Sequence, residues 1–258
     1  MTDPSASSVP ADWFRHSFGG DYLRVYRKRN EAAAAVEAAF CATVLGLAPG
    51  DRVLDLACGA GRHAAPLAAA GLSVVGLDLS LDLLTEARGR LGSAVPVVRG
   101  DMRHLPFANR SFRALASFFT SFGYFTRLGD DARVLGEMAR VVAPGGGMLL
   151  DLPDREATIG GLVPQSERTE GELQIFERRW ISGDGARVEK EIRVVSGSKT
   201  EPTEERYHES VRLYRSAEIN ALLSAAGWLV EARFGNFEGD PWESGVGPRM
   251  INVLKRRA

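Results

Sequence analysis

The stretch VLDLACGAGRHAAPLAAAG, residues 53–71, runs from an apolar strand through a glycine turn into an alanine-rich helix. Gly59, Gly61 and Ala64 match the G-x-G-x-x-[G/A] pattern that places a dinucleotide pyrophosphate at a helix N-terminus. Asp55 argues against a pyrophosphate, because its carboxylate would repel each such charge by roughly 4 kcal/mol at 4 Å and an effective dielectric near 20. A ligand with a cation beside its carboxylate fits better, since the helix N-terminus can receive the anion and Asp55 the cation.

Composition places the chain among ordinary globular proteins. Its 258 residues predict one core with a modest insertion, and an apolar fraction of 45% is sufficient for a hydrophobic interior. Lysine and arginine number 32 against 33 aspartate and glutamate residues, which gives a net charge of −1. Because no field of one sign favours a polyanion, we expect a small-molecule partner rather than nucleic acid or a membrane surface.

The cysteines and the N-terminal residues indicate the cellular compartment in which the protein is expected. Cys41 and Cys58 fall in a predicted helix and a predicted turn, and nothing in the pattern recommends pairing them. Residues 1–13 lack the charged and apolar regions of a secretory signal, and no run of 18 uncharged apolar residues occurs. Unpaired thiols are typical of reducing compartments, so we expect a cytoplasmic protein.

Short β-branched runs alternate with helical stretches along most of the chain, which indicates a parallel sheet covered by helices. Strands are predicted at residues 52–56, 72–78, 95–100, 113–118, 147–153, 228–235 and 250–256. Helices are predicted near 61–70, 80–90, 130–140 and 216–226, with Ser80 and Asp130 as N-caps of the second and third. The pattern therefore predicts an α/β fold, doubly wound and Rossmann-like, with a seven-stranded mostly parallel sheet.

After Pro153 the pattern changes to longer amphipathic strands. QIFERRWI, ARVEKEIRVVS and ERYHESVRLYR are predicted as antiparallel strands with turns at residues 183–185 and 197–198. We expect them to form an inserted antiparallel lid sheet, at roughly 165–214, over one end of the parallel sheet. The predicted parts of the chain are an N-terminal tail, flap and cap helix (1–47), a cofactor-binding core (48–153), the lid and substrate region (154–214) and the C-terminal completion of the core (215–258).

The segment before the first strand carries an aromatic stripe. Phe14, Phe18, Tyr22 and Tyr26 are spaced four residues apart, which would align them on one helical face, although two glycines interrupt it. In one interpretation the stripe packs in the core. In the other it is a flap over the active site, where Tyr22 and Tyr26 lie over the ligand and Arg29 pairs with the ligand's carboxylate.

The run DLACGAG, residues 55–61, resembles the first motif of class I S-adenosylmethionine-dependent methyltransferases, an acidic residue followed by three alternating glycines. S-adenosylmethionine has the arrangement of charges that suits Asp55 and the helix N-terminus. Ala57 replaces the first glycine, which is tolerable if this residue has a negative φ. Further motifs follow in order over most of 50–152, and the aromatic segments are similar to those of bacterial members that methylate small molecules.

The resemblance implies how the nucleoside would bind. Asp78, followed by Leu79, corresponds to the family's acidic residue after the second strand, which accepts both ribose hydroxyls. Asp101 and Met102 correspond to the pair after the third strand, where the carboxylate accepts from the adenine amino group and the neighbouring residue lines the ring.

The resemblance also implies how the methionine part of the cofactor would bind. Ser117 and Phe118 stand where the end of the fourth strand meets the methionine moiety. The turn that carries Ala57, Gly59 and Gly61 would complete this part of the site.

Methyl transfer mainly requires alignment of an incoming lone pair with the S–CH₃ bond in a pocket free of water, and it needs no metal. A hydroxyl or carbon nucleophile gains about 10²- to 10⁴-fold from a general base, whereas a neutral amine can react without one. The candidate bases are His208, in the predicted lid, and the phenols of Tyr22, Tyr26 and Tyr124. His63 is expected to cap or pack at the start of its helix, and no His and Cys cluster has metal-ligand spacing.

Two other function classes stay open at this point. A non-catalytic module would use the same fold to bind S-adenosylmethionine or to scaffold a partner. An NAD-dependent oxidoreductase would use the glycine turn and Asp78 but leaves Asp55 and Asp101 without a purpose. The sequence therefore predicts an S-adenosylmethionine-dependent methyltransferase with a small-molecule acceptor, and it does not identify that acceptor.

Overall fold

The structure is a computed structural model that describes residues 9–19, 22, 25, 31–127, 129–198 and 201–258. These residues form two β-sheets with flanking helices. In chain order the strands are β1 (Arg52–Leu56), β2 (Ser73–Asp78), β3 (Val97–Arg99), β4 (Phe112–Ser117), β5 (Val142–Pro153), β6 (Gln165–Glu170), β7 (Leu173–Ile181), β8 (Arg187–Ser198), β9 (Glu201–Arg212), β10 (Trp228–Phe234) and β11 (Arg249–Arg256). The helices are a 3₁₀ turn (Trp13–Arg15), α1 (Glu31–Val44), α2 (Ala64–Ala69), α3 (Leu81–Leu91), α4 (Asp130–Val141), α5 (Arg155–Gly160) and α6 (Ser216–Ala225).

The larger sheet has the strand order β10-β11-β5-β4-β1-β2-β3. Strands β1 to β5 pair in parallel, and β11 runs antiparallel to both of its neighbours. This arrangement confirms the predicted seven-stranded, mostly parallel, Rossmann-like sheet. The strand order reverses beside β1, which pairs with β2 on one side and β4 on the other. Open α/β sheets bind their ligands at this switch point, beyond the carboxyl ends of the strands.

Both faces of the larger sheet are buried, which explains its continuous apolar strands. In β1, Leu54 and Leu56 belong to a hydrophobic cluster that also holds residues of α4 and α6. Val53 points to the opposite face, into a cluster with residues of α1, α2 and α3. All three side chains have 0% exposure, so β1 is a central strand that fixes the position of the loop after it.

The smaller sheet, β6-β7-β8-β9, is antiparallel throughout, and we call it the lid sheet. It confirms the predicted insertion and the turn at 183–185, but it has four strands where three were predicted. The missed strand, β6, has the sequence QSERTE, which lacks the apolar residues on which the prediction relied. The turn expected at 197–198 is wrong, because Gly197 and Ser198 still pair with Pro202 and Glu201. The connection at 199–200 lies outside the described residues.

One of the two predicted N-caps is confirmed. The Oγ of Ser80 accepts a hydrogen bond from the backbone N–H of Leu83 at 3.2 Å at the start of α3. The prediction that Asp130 is an N-cap was wrong, since Gly129 is the N-cap of α4 and Asp130 is already helical. The Asp130 carboxylate instead accepts a hydrogen bond from Arg103 at 3.1 Å, so a tertiary ion pair replaces the local cap.

Arg187, at the start of β8, connects the lid sheet to the loop after β4. Its guanidinium is buried and donates hydrogen bonds to the carbonyl oxygens of Gly123 (2.8 Å), Tyr124 (3.1 Å) and Phe125 (3.2 Å). It also donates to the carbonyl oxygen of Ser210 on β9 at 2.7 Å. Three consecutive carbonyls of one loop are therefore held by a single side chain of the lid.

Two consecutive residues near the N-terminus connect the lid sheet to the start of α3. Ser17 Oγ donates to the carbonyl of His208 on β9 at 2.6 Å and accepts from the N–H of His208 at 3.1 Å. The carbonyl of Phe18 accepts a hydrogen bond from Ser80 Oγ, at the start of α3, at 2.5 Å. We call residues 17–18 the strap.

Candidate active site

A cavity of about 580 Å³ lies where the loops after β1, β2, β3 and β4 meet the N-terminal segment. Such a volume is typical of small-molecule sites. The lining residues are Phe14, Phe18, Tyr22, Ala57, Cys58, Gly59, Ala60, Arg62, His63, Leu77, Asp78, Leu79, Leu83, Glu86, Arg90, Gly100, Asp101, Met102, Phe118, Phe119, Ser121, Tyr124 and Phe125. The cavity thus occupies the switch point of the sheet.

The turn after β1 adopts left-handed backbone conformations. Gly59 has a φ of 54° and Gly61 a φ of 77°, which glycine tolerates. Ala57 has a φ of 58°, so the expectation of a negative φ at this position is wrong. The left-handed region costs a non-glycine residue about 1–2 kcal/mol, and the rest of the turn must hold Ala57 there.

We expect Ala57→Gly to raise the free energy of unfolding by about 0.5–1 kcal/mol. Relief of about 1–2 kcal/mol of backbone strain outweighs the additional chain entropy of glycine, about 0.4–1 kcal/mol. Chemical denaturation monitored by circular dichroism measures the change. Ala60→Gly, three residues later in the same turn and without a positive φ, is the matched control and should be destabilising. Equal destabilisation by both substitutions would contradict the strain at Ala57.

Among the described residues, three that were predicted to bind the cofactor do not line the cavity, and two of them are Gly61 and Ser117. A Cβ on Gly61 would lie 2.6 Å from Cδ1 of Leu91, so this glycine permits the close approach of α3. Ser117 is 1% exposed, and its Oγ has no hydrogen-bond partner among the described residues. Both residues lie beneath the cavity lining and affect the shape of the site through packing.

Asp55 is the third of these residues, and it is 1% exposed at the end of β1. Burial, together with the charge of Asp78, raises the pKa of Asp55 to about 7. Its Oδ2 has no hydrogen-bond partner in the described part of the chain. The structure therefore does not place Asp55 where a ligand cation would touch it, although its charge lies close to the cavity.

Asp78 lines the cavity at the carboxyl end of β2, where the resemblance implies ribose binding. Its Oδ2 accepts a hydrogen bond from the N–H of Gly59 at 2.9 Å, and its Oδ1 accepts one from the N–H of Ser80 at 2.8 Å. Each carboxylate oxygen keeps a further lone pair for a ligand hydroxyl. Asp78 thereby joins the turn after β1 to the start of α3 and presents a fixed acceptor to the cavity.

Asp101 and Met102 line the cavity after β3. Arg103 holds the Asp101 carboxylate through both oxygens, at 3.0 Å and 2.7 Å, and Arg15 approaches it to 3.9 Å. Burial alone would raise the pKa of Asp101, but the hydrogen bonds and charge of Arg103 lower it. Asp101 is therefore an ionised acceptor, and its role toward the adenine amino group stays a prediction.

The loop after β4 forms the aromatic wall of the cavity. Phe119 and Thr120 have φ values of 57° and 56°, which are uncommon for residues other than glycine and strained in a β-branched residue such as Thr120. Asp151 on β5 holds this turn: its Oδ2 accepts from the N–H of Phe119 at 2.7 Å, and its carbonyl accepts from the N–H of Thr120 at 3.2 Å. Arg249 on β11 pairs with Asp151, and its guanidinium lies 4.9 Å from the ring centroid of Phe119.

The N-terminal aromatic residues contribute to both the core and the cavity. Trp13 is 2% exposed in the core, whereas Phe14, Phe18 and Tyr22 line the cavity. The Phe18 ring is stacked with Tyr124 across the cavity wall, with ring centroids 5.8 Å apart. Packing in the core and lining the cavity are therefore not exclusive roles for these aromatic residues.

The predicted catalytic residues separate into three groups. Tyr22 and Tyr124 line the cavity. His208 does not: it lies on β9, and its Nε2 is 3.6 Å from the Glu191 carboxylate. Tyr26, a candidate base, and Arg29, expected to pair with the cofactor's carboxylate, lie outside the described residues.

Sequence reasoning missed a polar pair of which one member lines the cavity. His63 is 6% exposed, lines the cavity and forms a 2.5 Å hydrogen bond through Nε2 with Glu37 of α1. Its ring is stacked with Phe118, as the expected packing role requires, but its side chain forms no capping hydrogen bond on α2. Glu37 and His63 lie 26 residues apart, and no sequence motif connects a residue of α1 with the turn after β1.

Within the described ranges, no group of three or more His, Cys, Asp or Glu side chains is placed to hold a metal ion. Among the helices of the described residues, none is long and apolar enough to cross a membrane. Cys41 and Cys58 are both buried and unpaired, as the sequence predicted.

Comparison with known sequences identifies a family and its relatives. The methyltransferase domain family matches residues 53–146. A dTDP-3-amino-3,4,6-trideoxy-alpha-D-glucopyranose N,N-dimethyltransferase from Streptomyces venezuelae is 30% identical over 193 residues, which cover 72% of this chain and 79% of the relative. A demethylmenaquinone methyltransferase from Corynebacterium kroppenstedtii is 47% identical over 98 residues, 38% of this chain. The chain spans only 40% of the length of that relative.

Solved structures share the whole architecture. The CcbJ methyltransferase from Streptomyces caelestis superposes with a TM-score of 0.79 over 95% of this chain and 99% of its own, at 19% sequence identity. At this level of identity the likeness establishes the fold alone, including the combination of a seven-stranded sheet with a second, antiparallel sheet.

Proposed function

Because the chain belongs to the S-adenosylmethionine-dependent methyltransferases, we propose that it binds S-adenosylmethionine in the cavity and transfers the methyl group to a small molecule. The observation that carries the proposal is the carboxylate of Asp78, which lines the cavity and is fixed by one backbone N–H at each oxygen. This geometry suits a pair of ribose hydroxyls, which donate to the remaining lone pairs.

The residues present fit the cofactor. Asp78 would hold the ribose, Asp101 and Met102 the adenine, and the turn at Gly59, close to the start of α2, the anionic end. When bound, S-adenosylmethionine supplies a methyl group that its sulfonium has already activated. The chain then needs to align the acceptor and exclude water, and the aromatic wall after β4 and the N-terminal aromatics surround the cavity for this purpose.

We further propose that the acceptor is a small molecule bearing an amine. The relative from Streptomyces venezuelae is named for N,N-dimethylation of an amino sugar, and its match covers 72% of this chain, well beyond the 53–146 segment of the methyltransferase domain.

The near-neutral net charge of −1 favours a small-molecule partner over nucleic acid. The two unpaired cysteines agree with a cytoplasmic location.

Thermal unfolding tests cofactor binding. We expect S-adenosylhomocysteine, at about 100 times its Kd, to contribute about 2.7 kcal/mol to stability, because it binds the folded state alone. This corresponds to a Tm increase of about 5–10 °C for a chain of this size. NAD at the same concentration is the control and should leave the Tm unchanged. An increase with NAD and none with S-adenosylhomocysteine would contradict the proposal.

Transfer is tested with S-adenosylmethionine carrying an isotopically labelled methyl group and dTDP-3-amino-3,4,6-trideoxy-alpha-D-glucopyranose as the amine probe. Label in the amino sugar supports the proposed class of acceptor. Label in demethylmenaquinone, with none in the amine, would contradict the amine and favour a carbon acceptor. Binding of S-adenosylhomocysteine without transfer to any metabolite would favour the non-catalytic alternative.

A further inference from the structure

His63 lines the cavity, and Glu37 lies behind it and forms a hydrogen bond with it. The two residues are 6% and 8% exposed, from different elements, and joined by the 2.5 Å contact between Nε2 and Oε2. The imidazole lies 4.0 Å from the Phe118 ring, centroid to centroid, at an interplanar angle of 11°. The stacking and the hydrogen bond together fix both the position and the rotation of the imidazole.

Glu37 determines which nitrogen of His63 carries the hydrogen. Burial would raise the pKa of Glu37, but the hydrogen bond and charge of His63, with the charge of Arg62, lower it. A carboxylate can only accept hydrogen bonds, so Nε2 carries the hydrogen and Nδ1 keeps its lone pair. Among the described residues, Nδ1 has no hydrogen-bond partner.

The surroundings keep the imidazole neutral. Burial lowers the pKa of His63 below its usual value of 6.5, and the charges of Arg62 and Arg249 lower it further, against the opposing effect of Glu37. Because the folded state lowers this pKa, His63 is uncharged at neutral pH and becomes protonated only under more acidic conditions. The neutral imidazole keeps a lone pair that can accept a proton at physiological pH. The same burial makes it a weaker base than a free imidazole, and the negative charge of Glu37 opposes this effect.

We propose that His63 is the general base that deprotonates the amine acceptor and that Glu37 positions it. The proposal rests on the proposed function, which supplies the amine. In the step, Nδ1 bonds to one proton of the acceptor ammonium, and the broken N–H bond leaves its electron pair on the amine nitrogen. The carboxylate of Glu37 stabilises the imidazolium, which later releases the proton to water. The amine nitrogen then has the lone pair that attack on a methyl carbon requires.

The rate is measured against pH with the amino sugar probe. We expect His63→Asn to lower kcat/KM for the amine by about 10²-fold or more near neutral pH. The deficit should shrink about tenfold per pH unit as the solvent deprotonates the amine in place of His63, up to the pKa of the amine. Glu37→Gln should cost about tenfold, since the amide no longer imposes the tautomer. His104→Asn, an exposed histidine outside the cavity lining, is the matched control and should stay within about twofold of wild type.

Two further results separate a base from a structural residue. The affinity for S-adenosylhomocysteine, measured by calorimetry, should change less than about threefold in His63→Asn, since a base for the acceptor contributes little to cofactor binding. A loss of kcat/KM that is the same at every pH, or that follows the cofactor affinity, would overturn the proposal. If wild type transfers no methyl group to any amine, the proposed acceptor class has failed.

Nitrogen-15 NMR of the imidazole, in protein saturated with S-adenosylhomocysteine, tests the same proposal without turnover. The expected spectrum is that of a neutral imidazole with its hydrogen on Nε2 at neutral pH. A hydrogen on Nδ1, or an imidazolium, would overturn the role of His63 even if methyl transfer to the amine is observed.

Discussion

Arg187→Met should destabilise the fold by about 3–5 kcal/mol and disorganise the cavity wall. The substitution removes the guanidinium donor from the carbonyls of Tyr124 and Phe125, whereas the carbonyl of Gly123 still accepts from the N–H of Arg212 at 2.9 Å. Each unsatisfied buried group costs about 1–3 kcal/mol. It also removes a buried cation that interacts electrostatically with Asp131 and with Glu189, which is 1% exposed. Because Tyr124 and Phe125 belong to the loop that Arg187 holds, methyl transfer should fall further than the affinity for S-adenosylhomocysteine.

Urea unfolding and calorimetry with S-adenosylhomocysteine measure these two effects. Arg178→Met is the matched control, since Arg178 is exposed on β7 of the same sheet, and it should change stability by less than about 0.5 kcal/mol. Arg187→Lys keeps the charge but not the planar set of donors, and it provides a milder variant if the methionine variant fails to fold. A loss below about 1 kcal/mol in Arg187→Met would show that water replaces the guanidinium at these carbonyls.

Asp78→Ala should weaken binding of S-adenosylhomocysteine by about 100-fold or more. Alanine removes the proposed acceptor for the ribose hydroxyls and both hydrogen bonds that join the turn after β1 to α3, and each bond to a charged group contributes about 1.5–3 kcal/mol. Asp78→Asn should cost about tenfold, because the amide oxygen still accepts while its NH₂ group faces a backbone N–H.

Calorimetry of both Asp78 variants should be paired with circular dichroism to confirm that each is folded. Asp82→Ala removes a carboxylate from the exposed side of α3, outside the cavity lining, and should leave the affinity within about twofold. Equal and negligible effects of Asp78→Ala and Asp78→Asn would place Asp78 outside the site.

The strands of the parallel sheet could be predicted closely because their burial on both faces leaves a direct trace in the sequence. RVLDL coincides with β1, and the other strands lie within a few residues of their predicted bounds, apart from the earlier start of β5 at Val142. Strand β6 was missed because it is polar and its order derives from pairing with β7. Asp130 was misassigned because a tertiary partner, Arg103, competes for its carboxylate.

The site was predictable only where local chain geometry decides it. Asp78 is the last residue of β2 and Met102 lies three residues after β3, so the order of strands places them at the cavity. The φ of Ala57 was not predictable, because the surrounding turn imposes a conformation that alanine does not favour. His63 and Glu37 come together through the packing of α1 beside α2, a contact between elements that a sequence pattern does not record.

The strap at residues 17–18 has a consequence for recombination among related enzymes. Ser17 bonds to β9 and Phe18 to the start of α3, while Arg187 holds the loop after β4 from the lid side. A chimera that exchanged only the lid sheet would keep the backbone groups that bond to Ser17, but it would lose the side chain of Arg187 and with it the donor to the loop after β4. We therefore expect the loop after β4, which lines the cavity, to keep its shape in a chimera only when it is exchanged together with the lid residue that holds it.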